Sequence, residues 1–209
     1  DGNLKNLNNT IKFRSKRIGD IFLSTFLLII TSPIIFISMS LIFLEDKKGF
    51  LYKQERVGLN QKIYTIYKLR TMKLNAENGK PQWSKKYDPR ITKIGKFLRK
   101  MRLDELPQLL NVIKGDMSLI GPRPERPEIE KEKLKKIPYY SSRYIMKPGI
   151  SGWAQVNYHY GASVKDTAKK LSYDIYYISH FSFLLDLLIL FKTIKIVLNA
   201  KNFYPRNIK

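Results

Sequence analysis

Hydrophobic positions along this chain fall into one long unbroken block and a series of shorter periodic runs. The block is Ile21 to Leu44, 24 residues without a charge, whose only polar side chains are Ser24, Thr25, Thr31, Ser32, Ser38 and Ser40. Drawn as one straight helix it reaches roughly 36 Å, enough to cross a hydrocarbon core of about 30 Å. Ser32-Pro33 sits at its midpoint. Pro33 has no amide hydrogen and its ring collides with the carbonyl of Ile29, so the helix kinks there. Each arm is then about 12 residues, or roughly 18 Å, too short to span alone. Lys12, Arg14, Lys16 and Arg17 precede the block, and Lys47, Lys48, Lys53 and Arg56 follow it. Cytoplasmic flanks collect such residues, so both ends are expected on one side. A re-entrant helix-break-helix hairpin over 18–46 satisfies both observations; a single spanning helix is the simpler alternative. A cleaved signal peptide fits less well, because Glu45-Asp46-Lys47-Lys48 follows where a small-residue cleavage site belongs.

The shorter runs predict a mainly helical α+β domain over 47–209, preceded by a basic segment over 1–17. Asp1 to Thr10, rich in Asn and Lys, reads as a solvated, mobile terminus. Val57 to Lys62 is a turn signal, and Ile63 to Arg70 alternates as a strand does. Leu74 to Pro89 is loop-like, with a turn at Asn78-Gly79. Ile94 to Arg102 is short, basic and amphipathic, and Leu106 to Ile113 is helical with Pro107 in its first turn. Gly121-Pro122-Arg123-Pro124 forces an extended passage. Glu125 to Lys136 reads as a charged helix on the solvent side, Lys147 to Trp153 as a rigid turn, and Val164 to Ile178 as a helix. Phe181 to Leu198 carries only Asp186, Lys192 and Lys195 as charges. It is either a buried core helix or an amphipathic helix lying in the headgroup layer.

Charge changes the picture next. Thirty-nine Lys and Arg against 17 Asp and Glu give a formal +22, which demands an anionic partner. Charge alone favours nucleic acid; the apolar block shifts the expectation to an anionic inner-leaflet lipid surface or phosphate-rich substrates, with no nucleic acid. Cysteine is absent, which removes disulfides, thiolate metal sites and thiol nucleophiles. Two histidines, His159 and His180, are few for a zinc site, and no Walker-type phosphate loop is present.

The candidate chemistry centres on Asp104-Glu105, between the basic residues Lys96, Arg99, Lys100 and Arg102 and the proline that opens a helix. Acidic residues in a first helical turn are commonplace caps. Here the surrounding cations allow a second reading, in which a carboxylate attacks phosphorus while a metal and basic side chains screen its charge. With oxygen ligands the expected metal is Mg2+. Arg123, held between prolines, suits bidentate phosphate binding. Lys68 and Arg70 are expected on one strand face, as phosphate ligands or as solvated cations.

Taken together these segments resemble the bacterial sugar transferase family, the monotopic phosphoglycosyl transferases. The likeness runs from about Lys16 to Asn199. Its elements occur in order: the block with Ser32-Pro33, Gln54-Glu55-Arg56-Val57-Gly58, Tyr67-Lys68-Leu69-Arg70-Thr71-Met72, Leu103-Asp104-Glu105-Leu106-Pro107-Gln108, the run from Gly115 to Pro124, and the run from Pro148 to Asn157. The resemblance implies transfer of a sugar-1-phosphate from a UDP-sugar to a polyprenyl (undecaprenyl) phosphate, releasing UMP, at the cytosolic face of a bacterial inner membrane. It implies Asp104 as nucleophile of a covalent phospho-sugar intermediate with Mg2+ beside it. Glu105 would help the second step, by positioning or deprotonating the polyprenyl phosphate. Lys68, Arg123 and Asp174 fall on substrate-site positions of the family, and Ser32-Pro33 on its re-entrant break. Asn157 to Ser163 looks like larger members with further N-terminal membrane helices and a nucleotide-fold domain. A start at Asp1 is expected either of their catalytic fragment or of a naturally small member. The readings from other classes are a non-enzymatic basic membrane or nucleic-acid-binding protein, and a glycosyltransferase that moves sugar alone and releases UDP.

Overall fold

The protein is described here by a computed structural model covering residues 2–74, 76, 88–158 and 163–199, with side chains from residue 10 onward. The turn expected at Asn78-Gly79, most of the 74–89 loop, and His159 lie outside the described residues. The apolar block becomes part of one helix, α1 (Gly2–Asp46), with Pro33 inside it. The terminus expected to be mobile is thus helical from Gly2, as a continuation of the same turn pattern. The helix is long and apolar enough to cross a membrane. Ser32 Oγ donates to the carbonyl of Ile29 at 2.8 Å. That carbonyl is the acceptor Pro33 leaves without an amide, so the serine beside the proline repairs the defect it causes.

Both arms of α1 pack on the same domain. Leu23, Leu27 and Leu28 lie against a core built around Leu109, Val112 and Met117. Ile35, Met39 and Ile42 lie against Leu69 and Leu98. The rest of the helix surface is bare and apolar along its length, with Phe22 75%, Ile29 68% and Phe36 66% exposed.

Strands β1 (Leu51–Val57) and β2 (Ile63–Leu69) form an antiparallel hairpin with Tyr52 opposite Lys68. The turn expected at 57–62 is its loop. Helices α2 (Lys93–Lys100) and α3 (Gln108–Lys114) follow, separated by a tight 3-10 turn over Leu103–Glu105. Gly115 ends α3 at φ 100°, a left-handed conformation that a side chain would strain.

The stretches on either side of the Gly-Pro-Arg-Pro passage contain two strands the alternation did not reveal. They are β3 (Ser118–Ile120) and β4 (Gly149–Ser151), paired in parallel with Ser118 opposite Gly149. Three residues are too few to show a period. A Cβ on Gly149 would sit 2.1 Å from the Gly121 amide nitrogen, so the close approach requires glycine. Helix α4 (Pro127–Lys136) is charged as expected, but it is not wholly solvated: Glu130 is buried. Helices α5 (Trp153–Asn157), α6 (Val164–His180) and α7 (Phe183–Leu198) are the last of the described elements, α6 opening on a Ser163–Asp166 capping box. The apolar α7 is not a buried core helix. It buries Ile189 and leaves Phe183, Leu184, Phe191 and Leu198 largely exposed.

Candidate active site around the Asp104-Glu105 pair

Arg102 adopts a left-handed conformation at φ 57°, which breaks the path of α2 and turns the chain into the short helix carrying the pair. Both acids are buried, each 9% exposed, so neither is an ordinary solvated cap. Their surroundings differ. Lys68 Nζ and Arg123 Nη2 both donate to Glu105 Oε1, at 2.7 and 2.8 Å, and Arg102 lies 3.9 Å from the other oxygen. These cations outweigh burial and hold the Glu105 carboxyl well below its usual range.

Asp104 has no such support. Among the described residues no group donates a hydrogen bond to its carboxylate and no cation forms an ion pair with it. Burial, reinforced by the charge of Glu105, pushes its pKa up to about 6; the fields of Lys68, Arg99 and Arg102 act against that rise. One acid is paired with cations, the other is not.

Lys68 is delivered by β2, and β2 is fixed to the helix after the pair by Asn111. Its carboxamide accepts from Tyr67 N at 3.1 Å and donates to Thr65 O at 2.7 Å, occupying the strand edge as another strand would. Arg123 is held through its backbone: Arg143 donates to the Arg123 carbonyl at 2.6 Å. Arg143 also pairs with Asp174 at 3.1 Å and Glu130 at 3.5 Å and donates to the Tyr140 hydroxyl. Burial pushes Asp174 up to about 6 despite that partner.

The structure therefore brings Lys68, Arg123 and the acidic pair together and sets the other two predicted residues apart. Arg70 makes a bidentate pair with Asp46 at the end of α1, 2.6 Å to each oxygen, and donates to Gly49 O. Asp174 lies on the Arg143 network behind the Arg123 turn. Sequence reading missed Asn111 and Arg143, which bear no chemical signature: one looks like any helix polar residue, the other like any basic surface residue. It also gave no role to Gln108, one turn after Asp104, whose side chain is buried with Nε2 unpartnered.

No group of three or more His, Asp or Glu side chains able to hold a metal occurs among the described residues. A dedicated protein cage is thus not present there. Of the two acids in the site, Asp104 is the one without a partner among the described residues, which fits a Mg2+ bound mainly by substrate oxygens and water.

The site is thus a pair of buried acids set among cations, on a mainly helical domain built with a long apolar helix. The bacterial sugar transferase profile matches residues 11–200, and the chain belongs to that family. It is 45% identical over 88% of its length to a UDP-N-acetylgalactosamine-undecaprenyl-phosphate N-acetylgalactosaminephosphotransferase of Aeromonas hydrophila, covering 44% of that protein. It is 37% identical over 89% of its length to a UDP-glucose:undecaprenyl-phosphate glucose-1-phosphate transferase of Klebsiella pneumoniae, covering 40% of it. An uncharacterized sugar transferase of Bacillus subtilis is 39% identical over 92% of this chain and 91% of its own length. The chain thus spans less than half of the first two relatives and nearly all of the third.

Proposed function

We propose that this chain transfers a sugar-1-phosphate from a UDP-sugar to a polyprenyl phosphate and releases UMP. Asp104 attacks the phosphorus that bears the sugar, forming an aspartyl–phosphate bond as the bond to UMP breaks. An oxygen of the polyprenyl phosphate then attacks the same phosphorus and Asp104 leaves as a free carboxylate. The asymmetry of the pair supports this assignment. A nucleophile works best with its oxygens unengaged, as in Asp104, whereas one oxygen of Glu105 already accepts from two cations. The cations around Glu105 keep it ionised, so it serves better to orient Lys68 and Arg123 toward phosphate than to remove a proton. A phosphate monoester, with a second pKa near 6, is already largely deprotonated at neutral pH and needs no strong base. Mg2+ would be held by Asp104 with substrate oxygens and would supply screening of the diphosphate charge.

The membrane geometry belongs to the same proposal. Packing of residues on both sides of Pro33 against one domain favours a re-entrant α1 over a spanning one. The exposed apolar face of α7 suits an interfacial position, with anionic cytosolic-leaflet lipid matching the +22 charge. On this reading the pair lies at the level of a lipid phosphate on the cytosolic side of the inner membrane.

A panel of UDP-sugars with undecaprenyl phosphate and Mg2+, scored for UMP, tests the reading. The relatives' names include both glucose and N-acetylgalactosamine, so both belong in the panel. Release of UDP would convert the reading to a glycosyltransferase. No turnover together with steeply salt-dependent nucleic-acid binding would favour the non-enzymatic alternative.

A further inference from the structure

The described residues include one arrangement in which α1 does more than anchor. The acidic pair lies in the connection between the C-terminus of α2 and the N-terminus of α3. The opposite ends of those two helices are each capped by α1. Glu45 Oε1 accepts from the Lys93 amide at 2.9 Å and lies 3.5 Å from the Ile94 amide, placing a negative charge at the start of α2. Arg17 donates to the Val112 carbonyl and, at 2.8 Å, to the Ile113 carbonyl, placing a positive charge at the end of α3. Each charge has the sign that the helix dipole favours at that end, and each reaches backbone groups of the terminal turn. Residues 17 and 45 lie on opposite arms of α1, on either side of Pro33. Apolar packing follows the same division, with Leu23 and Leu27 serving the α3 side and Met39 and Ile42 the α2 side.

We propose that α1 is a two-ended brace for the catalytic connection, and that Arg17 and Glu45 are positioning residues for Asp104 and Glu105. This rests on the phosphotransfer reading above. Neither residue touches the pair. Each fixes the far end of a helix whose near end leads into it, so the spacing between the arms sets where α2 and α3 meet. Relaxing either cap lets one helix shift, and misplacing a nucleophile by a fraction of an ångström slows the chemical step more than it weakens binding.

The test uses the full chain in nanodiscs containing undecaprenyl phosphate, with Arg17→Gln and Glu45→Gln. Two readouts are taken: steady-state UMP release, and amide hydrogen exchange across the domain. Both variants are expected to lose about tenfold in kcat with little change in KM for the UDP-sugar. They should exchange faster over 103–110 while α6 stays protected as in the parent. Arg17→Lys, which keeps one charged donor, should recover part of the rate. Unchanged exchange over 103–110 and unchanged kcat in either variant would overturn the brace. So would faster exchange that includes α6, since that is general destabilisation. If the parent releases no UMP with any UDP-sugar, the phosphotransfer reading fails by itself, and the exchange pattern still decides whether α1 holds the connection.

Discussion

Asp104 stands beside Glu105 in the chain yet shares none of its hydrogen-bond partners: two cations close on Glu105 Oε1, and among the described residues none pairs with Asp104. Two buried carboxylates this close would repel. The structure resolves the conflict by neutralising one and leaving the other to rise in pKa, the usual way for one site to hold two acids with different tasks.

Replacing Asp104 by Asn should therefore separate stability from function. Folded Asp104 has a pKa of about 6 against 3.8 for the free group. Its contribution to stability is fully present below pH 4 and is lost as pH rises through 6, because the ionised form is disfavoured in the fold. Asp104→Asn should abolish UMP release and yet gain on the order of 2 kcal/mol at pH 7, with a gain near zero at pH 4. Denaturant midpoints at the two pH values measure it.

The rate of a carboxylate nucleophile follows its ionised fraction, so UMP release should rise with pH through an inflection near 6 in the parent protein. Lys68 is among the charges that hold that inflection down. Lys68→Gln should move it to higher pH as well as lower the plateau by about 10²-fold, the scale of losing a charged donor at a reacting phosphate. A fall in plateau with the inflection unmoved would separate Lys68 from Asp104.

If Glu105 serves the second step, Glu105→Gln should still form the adduct on Asp104. A burst of one UMP per protein followed by slow turnover is expected, with the phospho-sugar adduct visible by intact mass. Loss of the burst would place Glu105 in the first step instead.

Much of this site could be read from residue types and order, and some of it could not. Asp104, Glu105, Lys68 and Arg123 carry charges whose chemistry is local, and Lys68 and Arg123 meet at Glu105 beside Asp104. Arg70 could not be assigned by alternation, because its partner Asp46 lies 24 positions away on α1 and nothing local marks the pairing. The β3–β4 pair escaped for the same reason. Its strands are three residues long, and their pairing spans about 30 positions of intervening chain. The contacts of Asn111 and Arg143 are set by which segments meet in space, information that periodicity does not hold.

Arg143 carries the clearest stability prediction. It sits among Asp174, Glu130 and the Arg123 carbonyl, and removing it leaves two buried carboxyls without their cation. Arg143→Met should destabilise by about 3–5 kcal/mol. Asp174→Asn in the same chain should restore part of that loss, since one orphaned charge is removed. The double variant should still show a raised KM for UDP-sugar, because the Arg123 turn has lost its support.

The proposed hairpin makes a prediction about sidedness that needs no activity. The chain has no cysteine, so single cysteines at Lys12 and Lys48 report unambiguously on the two ends of the apolar block. In sealed inner-membrane vesicles with the cytosolic face outward, a membrane-impermeant thiol reagent should label both. Pro33→Leu restores the amide that the Ile29 carbonyl lacks and removes the ring that blocks a straight path. A straight block of 24 residues can cross the bilayer, so a fraction of this variant should hide one cysteine while the other stays labelled. The basic flanks oppose that change by favouring the same side, which keeps the fraction below one. If the parent already labels at only one end, α1 spans the membrane, and the exposed residues around Pro33 lie in mid-bilayer rather than at the tip of a hairpin.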